Sequence, residues 1–95
     1  MAYKGYGFEV TGKVQGVFFR QTTVEEAQKL GLVGWVRNDA SGSVQGEAQG
    51  PSDKADSLKD WLQHTGSPGS RIDKCNISNE RTIDNLDYDK FEQRS

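Results

Sequence analysis

The residues best suited to chemistry lie in one short segment, residues 12–20, which reads GKVQGVFFR. Its two glycines permit a tight turn in which successive backbone N–H groups point to one side, and such amides beside a helix N-terminus bind anions. Arg20 adds a planar guanidinium that can donate two parallel hydrogen bonds to phosphate oxygens. The segment predicts a phosphate site, although turns of this kind also occur without a ligand.

Two secondary-structure patterns flank this segment. Before it, apolar and other residues alternate as in a half-buried strand. After it, Thr22 and Thr23 are each followed three residues later by a glutamate, a capping-box pattern that predicts a helix beginning at these threonines. Gly31 marks the predicted helix end. The apolar positions are Tyr6, Phe8, Val10 and Val14 in the strand, and Val24, Ala27 and Leu30 in the helix.

A second segment, residues 34–44, reads GWVRNDASGSV and predicts a β-hairpin. Asparagine, aspartate, serine and glycine favour turns because they tolerate positive φ or hydrogen-bond their own backbone. Asn38 would stand at the end of the first strand. Its amide can accept a hydrogen bond from a water molecule and also donate one. Taken alone, an asparagine in this place is more often a turn residue than a catalyst.

Together the two segments resemble the signature sequences of the acylphosphatase family, whose members hydrolyse the carboxyl-phosphate bond of acyl phosphates. GKVQGVFFR is similar to the first signature, G-[RK]-V-Q-G-V-x-F-R, and GWVRNDASGSVQGEAQGP to the second, which begins G-W-V-x-N. The run SPGSRIDKCNISNER also resembles the animal members. The resemblance covers nearly the whole chain.

The resemblance implies a role for each matching residue. Arg20 would bind the phosphate and Asn38 would position the attacking water. A carboxylate leaves readily, so binding and charge stabilisation suffice, and we expect no metal and no cofactor. A catalytically inactive, acylphosphatase-like module that binds an anion or another ligand stays an alternative. The backbone N–H groups of the implied phosphate cradle belong to Gln15, Gly16, Val17, Phe18, Phe19 and Arg20.

The order of patterns predicts a β-α-β-β-α-β chain with an added strand. This is the ferredoxin-like α+β fold, an antiparallel sheet with two helices on one face and a short C-terminal strand. Small residues in the strand at 44–49 would let a helix pack closely. Ser52 and Asp53 would cap the second helix, with Ala55, Leu58, Trp61 and Leu62 on its apolar stripe. The last two strands are expected at residues 72–80 and 88–94, and residues 1–95 form a single domain.

Several residues near these motifs have simpler interpretations. Trp35 and Trp61 are expected in the core, and Arg37 is expected to be a solvated strand residue near the site. His64 would lie at a helix end, and Cys75 would be a half-buried strand residue and not a nucleophile. Asp39 places a carboxylate beside Asn38, so we expect Asp39→Ser to lower KM at low salt.

The composition of the chain limits the kinds of partner that it can bind. With a net charge of −2 and one cysteine, the chain lacks the basic surface of nucleic-acid binders and fits a reducing compartment. The strand at 44–49 has none of the stacking aromatics of RNA-recognition domains. No apolar run approaches the length that crosses a membrane, and the N-terminus does not resemble a signal peptide. We expect a cytoplasmic monomer that acts on a small acyl phosphate, whose identity the sequence does not specify.

Overall fold

The computed structural model describes residues 3–14 and 18–94. Its helices are α1 (Phe19–Lys29) and α2 (Ser52–His64). Its strands are β1 (Tyr3–Lys13), β2 (Val33–Asn38), β3 (Val44–Pro51), β4 (Arg71–Ile83) and β5 (Phe91–Gln93). The strands form one sheet in the order β4-β1-β3-β2-β5. The predicted ferredoxin-like fold is confirmed. The pairs β1–β3, β1–β4 and β2–β3 are antiparallel, whereas β5 pairs with β2 in parallel.

The core lies between the helices and one face of the sheet. Alternate strand residues are buried there, as the period-two pattern predicts. The Tyr6 hydroxyl donates a hydrogen bond of 2.7 Å to the Ala55 carbonyl oxygen and so ties β1 to α2. At Gly46 the absence of a side chain makes room within the sheet, because a Cβ there would overlap the Phe8 ring of β1. The buried apolar strand residues are Tyr6, Phe8, Val10, Val36, Val44, Ala48 and Phe91.

Helix α1 begins earlier than the capping pattern predicts. Phe18 is its N-cap, and both threonines already lie inside the helix. The N–H of Thr22 donates to the Phe18 carbonyl oxygen at 2.9 Å, and the Thr23 hydroxyl donates to the Phe19 carbonyl oxygen at 2.7 Å. The threonine prediction is therefore wrong, since both residues lie inside the helix and the Thr23 hydroxyl bonds back to the preceding turn instead of capping. The predicted end is confirmed, because Gly31 adopts φ 74° immediately after the C-cap.

The second helix shows a similar shift. Its N-cap is Pro51, and Ser52 and Asp53 are helical residues without a capping hydrogen bond, so they are not the predicted caps. His64 is the last helical residue, as expected. Strand β4 extends beyond the predicted bounds at both ends, whereas β5 is shorter than predicted. In the part of the chain that the structure describes, neither helix is long and apolar enough to cross a membrane.

Candidate active site

A cavity of about 360 Å³ lies where the start of α1 meets the end of β2. It brings together Arg20 and Asn38, which the sequence places in separate segments. Phe18, Phe19 and Arg20 of the predicted phosphate cradle also line it, whereas Gln15, Gly16 and Val17 lie outside the described residues. The cavity combines polar and apolar side chains. Its described lining residues are Val14, Phe18, Phe19, Arg20, Gln21, Asn38 and Gln93.

The N-terminus of α1 supplies positive electrostatic potential to this cavity. The first backbone N–H groups of a helix have no partner within it, and the helix dipole adds partial positive charge at the same end. Within the described part of the chain, no side-chain cap hydrogen bond is made at this N-cap, and the first turn contains no acidic residue. Phe18 adopts a left-handed conformation, φ 56° and ψ 25°, directly before the helix. A left-handed residue followed by a helical one turns successive N–H groups toward one side, which suits an anion.

Arg20 adds a full positive charge to the same wall. It is the second residue of α1 and is half-buried. Among the described residues, no carboxylate lies within ion-pair distance of its guanidinium and no side-chain hydrogen bond holds it. Arginine matches the geometry of phosphate oxygens with two parallel N–H donors. The charge at this wall of the cavity is therefore available to an anionic ligand.

Asn38 contributes an unpaired acceptor. It ends β2, opposite Val44 of β3, and lines the cavity. Its Oδ1 atom is buried and accepts no hydrogen bond from any described residue. Leaving a buried polar atom unsatisfied costs about 1–3 kcal/mol, so such an atom calls for an explanation. Oδ1 itself is not exposed to solvent, so a rotation of the amide toward the cavity would let a water molecule there donate to it.

Comparison with known proteins agrees with this geometry. The family model for acylphosphatase matches residues 6–93. The chain belongs to the acylphosphatase family. Acylphosphatase-2 from Homo sapiens is 54% identical over 91 residues, which make up 96% of this chain and 92% of the human protein. Acylphosphatase-2 from Anas platyrhynchos is 54% identical over 93 residues, or 98% of this chain and 90% of the duck protein.

Solved structures of bacterial acylphosphatases have the same fold. An acylphosphatase from Coxiella burnetii superposes with a TM-score of 0.85 at 36% identity, covering 97% of this chain and 93% of that one. The acylphosphatase from Bacillus subtilis gives a TM-score of 0.85 at 31% identity, covering 97% of this chain and 99% of that one. The chain therefore has the fold of these acylphosphatases over almost its full length.

The turn between β2 and β3 fixes the surroundings of Asn38 in this acylphosphatase. The hydroxyl and N–H of Ser41 donate to Asp39 Oδ2 at 2.6 Å and 3.0 Å. These bonds, the side-chain one foremost, hold the pKa of Asp39 below its ordinary value, so this carboxylate is ionised at neutral pH. Ser43 and Gln45 both donate to Glu9 Oε2, at 3.0 Å and 3.1 Å, which ties the β2–β3 hairpin to β1.

Two residues near the site differ from their predicted environments. Arg37 is half-buried and therefore only partly solvated: its Cζ lies 5.8 Å from the centre of the Trp35 ring, and its Nε is buried without a partner among the described residues. Trp35 is not a core residue. It lies on the sheet face that the helices leave open, where its Nε1 donates to the Tyr88 hydroxyl at 3.2 Å and Arg94 stacks at 5.2 Å.

Other titratable candidates lie outside the cavity. Cys75 is half-buried in β4 as predicted, and burial raises the pKa of its thiol to about 11, which keeps it protonated at neutral pH. His64 is exposed at the end of α2, with Nε2 3.7 Å from Asp60 Oδ1. Trp61 packs against the core as predicted, its ring centre 5.7 Å from that of Phe19. Within residues 3–14 and 18–94, no group of three or more potential metal ligands occurs.

Sequence reasoning did not find Gln21 and Gln93 in the cavity wall. Gln21 follows Arg20 in the first turn of α1, so its position depends on where the helix begins. Gln93 ends β5, which pairs in parallel with β2, and Gln93 lies beside Val36 in that pairing. No local pattern reveals the direction of a three-residue strand. The direction of β5 is a tertiary feature that only the structure provides.

Proposed function

We propose that Arg20 and Asn38 carry out the hydrolysis of acyl phosphates in this enzyme, at the cavity between α1 and β2. Family membership gives the activity: an acyl phosphate and water are converted to a carboxylate and inorganic phosphate. One observation supports the assignment of the residues. Arg20 and the start of α1, which have no ion-pair or side-chain capping partner among the described residues, border the same cavity as Asn38, whose buried Oδ1 atom has no hydrogen-bond partner there.

The positive wall binds the phosphoryl group. The Arg20 guanidinium donates two hydrogen bonds to its oxygens. The cradle is completed by the backbone N–H groups of Gln15, Gly16, Val17, Phe18, Phe19 and Arg20. Phosphoryl transfer spreads negative charge over these oxygens as the bond to the leaving group lengthens. Donors fixed in advance stabilise that charge without having to reorganise. The cradle therefore accelerates the reaction as well as binding the substrate.

Asn38 positions the attacking water. Its Oδ1 accepts a hydrogen bond from the water, whose oxygen attacks phosphorus opposite the acyl oxygen. The P–O bond to the acyl group breaks, its electron pair stays on the departing carboxylate, and the water proton passes to a phosphate oxygen. The amide is too weak a base to take that proton. The reaction needs no cofactor in this scheme, because a carboxylate leaves without the help of a strong general acid.

The test is hydrolysis of benzoyl phosphate in the presence of EDTA. We expect Arg20→Ala to lower kcat/KM by at least about 100-fold, because it removes two charge-assisted hydrogen bonds. Asn38→Ala should lower kcat while leaving the inhibition constant of inorganic phosphate within about twofold, since the cradle stays intact. Arg71→Ala and Asn76→Ala are matched controls, because both residues are exposed on β4 and neither lines the cavity.

Three results would contradict this assignment. Near-normal turnover by Arg20→Ala would show that the guanidinium does not bind the phosphoryl group. Loss of activity with EDTA would show that a metal takes part. Binding of inorganic phosphate without any turnover by the wild-type enzyme would indicate the inactive, ligand-binding alternative.

We also propose that residues 1–95 form a single domain. The protein acts as a cytoplasmic monomer on a small acyl phosphate. Among the described residues, Phe18 and Leu86 are the large hydrophobic side chains that are exposed, which leaves little apolar surface for self-association. Light scattering during size-exclusion chromatography should give the monomer mass of 10.5 kDa. Cell fractionation would test the location.

A further inference from the structure

Phe18 has an unusual combination of properties. It lines the cavity, yet 77% of its side chain is exposed, and it belongs to neither the core nor the partly buried layer around it. Its backbone is left-handed, with φ 56°, a conformation that bulky side chains rarely adopt. The left-handed backbone costs stability and the exposed ring gains little from burial, so core packing does not account for Phe18. Such outliers occur most often at ligand sites.

The position of Phe18 relative to the phosphate cradle suggests its partner. The phosphoryl group binds at Arg20 and the start of α1, and the acyl group must extend from it to the remaining cavity and the solvent. Phe18 directly precedes that helix and joins Val14 in the apolar part of the lining. A substrate's acyl group is the part that such a surface can recognise, because the phosphoryl group needs charged and polar donors.

We propose that the Phe18 ring packs against the acyl group of the substrate and makes the enzyme select aromatic and other apolar acyl phosphates over small ones. This inference rests on the proposed function. Packing against an exposed ring removes apolar surface from water, and a pair of aromatic rings gains further stabilisation from offset or edge-to-face stacking. The acyl group keeps its apolar surface throughout the reaction. Substrate and transition state are therefore bound about equally, and the effect falls on KM and not on kcat.

Phe18→Asn tests the inference, because asparagine tolerates the left-handed conformation but presents no ring. KM and kcat are measured for benzoyl phosphate and for acetyl phosphate, together with the inhibition constant of inorganic phosphate. We expect KM for benzoyl phosphate to rise by about two- to tenfold, the range that corresponds to one aromatic pair. Because the backbone N–H of Phe18 belongs to the proposed cradle, the deciding measure is the ratio of the two KM values: KM for benzoyl phosphate should rise relative to KM for acetyl phosphate.

Two further variants complete the design. Phe18→Tyr retains the ring and should keep the wild-type preference for benzoyl phosphate. Leu86→Asn is the matched control, since Leu86 is also exposed (37%) but does not line the cavity. It should leave both KM values unchanged.

The inference is overturned if Phe18→Asn changes neither KM, or raises both by the same factor. Weaker phosphate inhibition in this variant with an unchanged ratio of the two KM values would also overturn it, because Phe18 would then act through the shape of the cradle. If instead the proposed function is wrong, Arg20→Ala will leave the inhibition constant of inorganic phosphate unchanged. The two hypotheses are separated by these inhibition measurements.

Discussion

Replacing Asn38 with leucine should make the protein more stable while abolishing most of its activity. The reason is the buried Oδ1 atom, which has no hydrogen-bond partner among the described residues. Burying an unsatisfied acceptor costs about 1–3 kcal/mol, whereas an apolar group of the same shape in its place is neutral or stabilising. Leucine has nearly the shape of asparagine, so it removes the unsatisfied oxygen without creating a void.

The expected gain lies near the lower end of that range. Asn38 is only half-buried and lines the cavity, so one methyl group of leucine would meet the cavity and offset part of the benefit. A net increase of about 1 kcal/mol in the free energy of unfolding corresponds to a rise in Tm of about 4–8 °C for a domain of this size. Activity should fall by about 100-fold or more, which would make this a site where function is maintained at the expense of stability.

Urea and thermal unfolding, followed by circular dichroism in phosphate-free buffer, measure the stability change. Asn76→Leu is the control, because it makes the same exchange at an exposed position of β4 and should shift the unfolding free energy by less than about 0.5 kcal/mol. If Asn38→Leu is destabilised while the control is neutral, the amide has a partner that stabilises the folded state. The explanation of Asn38 as an unpaired acceptor would then be wrong.

Two other substitutions test the electrostatics. Asp39→Ser should lower KM at low ionic strength, because the ionised carboxylate beside Asn38 repels an anionic substrate. The effect should shrink near 1 M salt, which screens this repulsion. An unchanged KM would contradict this explanation. Lys59 and Lys4 lower the pKa of Glu80, so the stabilisation by Glu80 is present above its ordinary pKa and disappears as the pH falls below about 4. Urea unfolding should show Glu80→Gln to be less stable than wild type near pH 7 and equal to it near pH 3; a pH-independent difference would contradict the ion-pair account.

Much of the architecture was predictable because the elements follow strong local patterns. The alternation that begins at Tyr6 reflects burial of one face of β1, and the structure shows that burial pattern. Gly31 reflects the need for a left-handed backbone at the helix end, and it has the positive φ expected there. The helix starts were not predictable in the same way. Thr22 and Thr23 offer hydroxyl groups that suit either a cap or a bond to the preceding turn, and the tertiary position of Phe19 in the core decides between them.

The environments of Arg37 and Trp35 show a second limit of sequence patterns. Strand alternation places both residues on the face opposite Val36, but it does not reveal what covers that face. The structure shows that the segment between β4 and β5 folds over it: Gln49 and Asp87 exchange two hydrogen bonds, at 2.8 Å and 2.7 Å, and Tyr88 donates to Glu47 at 2.7 Å. A tryptophan that looks like a core residue is therefore part of a polar cluster with stacked arginines.

The location of the site follows from strand direction. Strands β1 and β2 both pair antiparallel with β3, so they run parallel to each other, and Val44 of β3 lies between Val10 of β1 and Asn38 of β2. Their carboxyl ends therefore meet at one edge of the sheet, which is where ligands bind in folds with parallel strands joined by a helix. Strand β5 is parallel to β2 and brings Gln93 to the same edge. The topology thus brings the start of α1, Asn38 and the end of β5 to one cavity, although no short stretch of sequence contains all three.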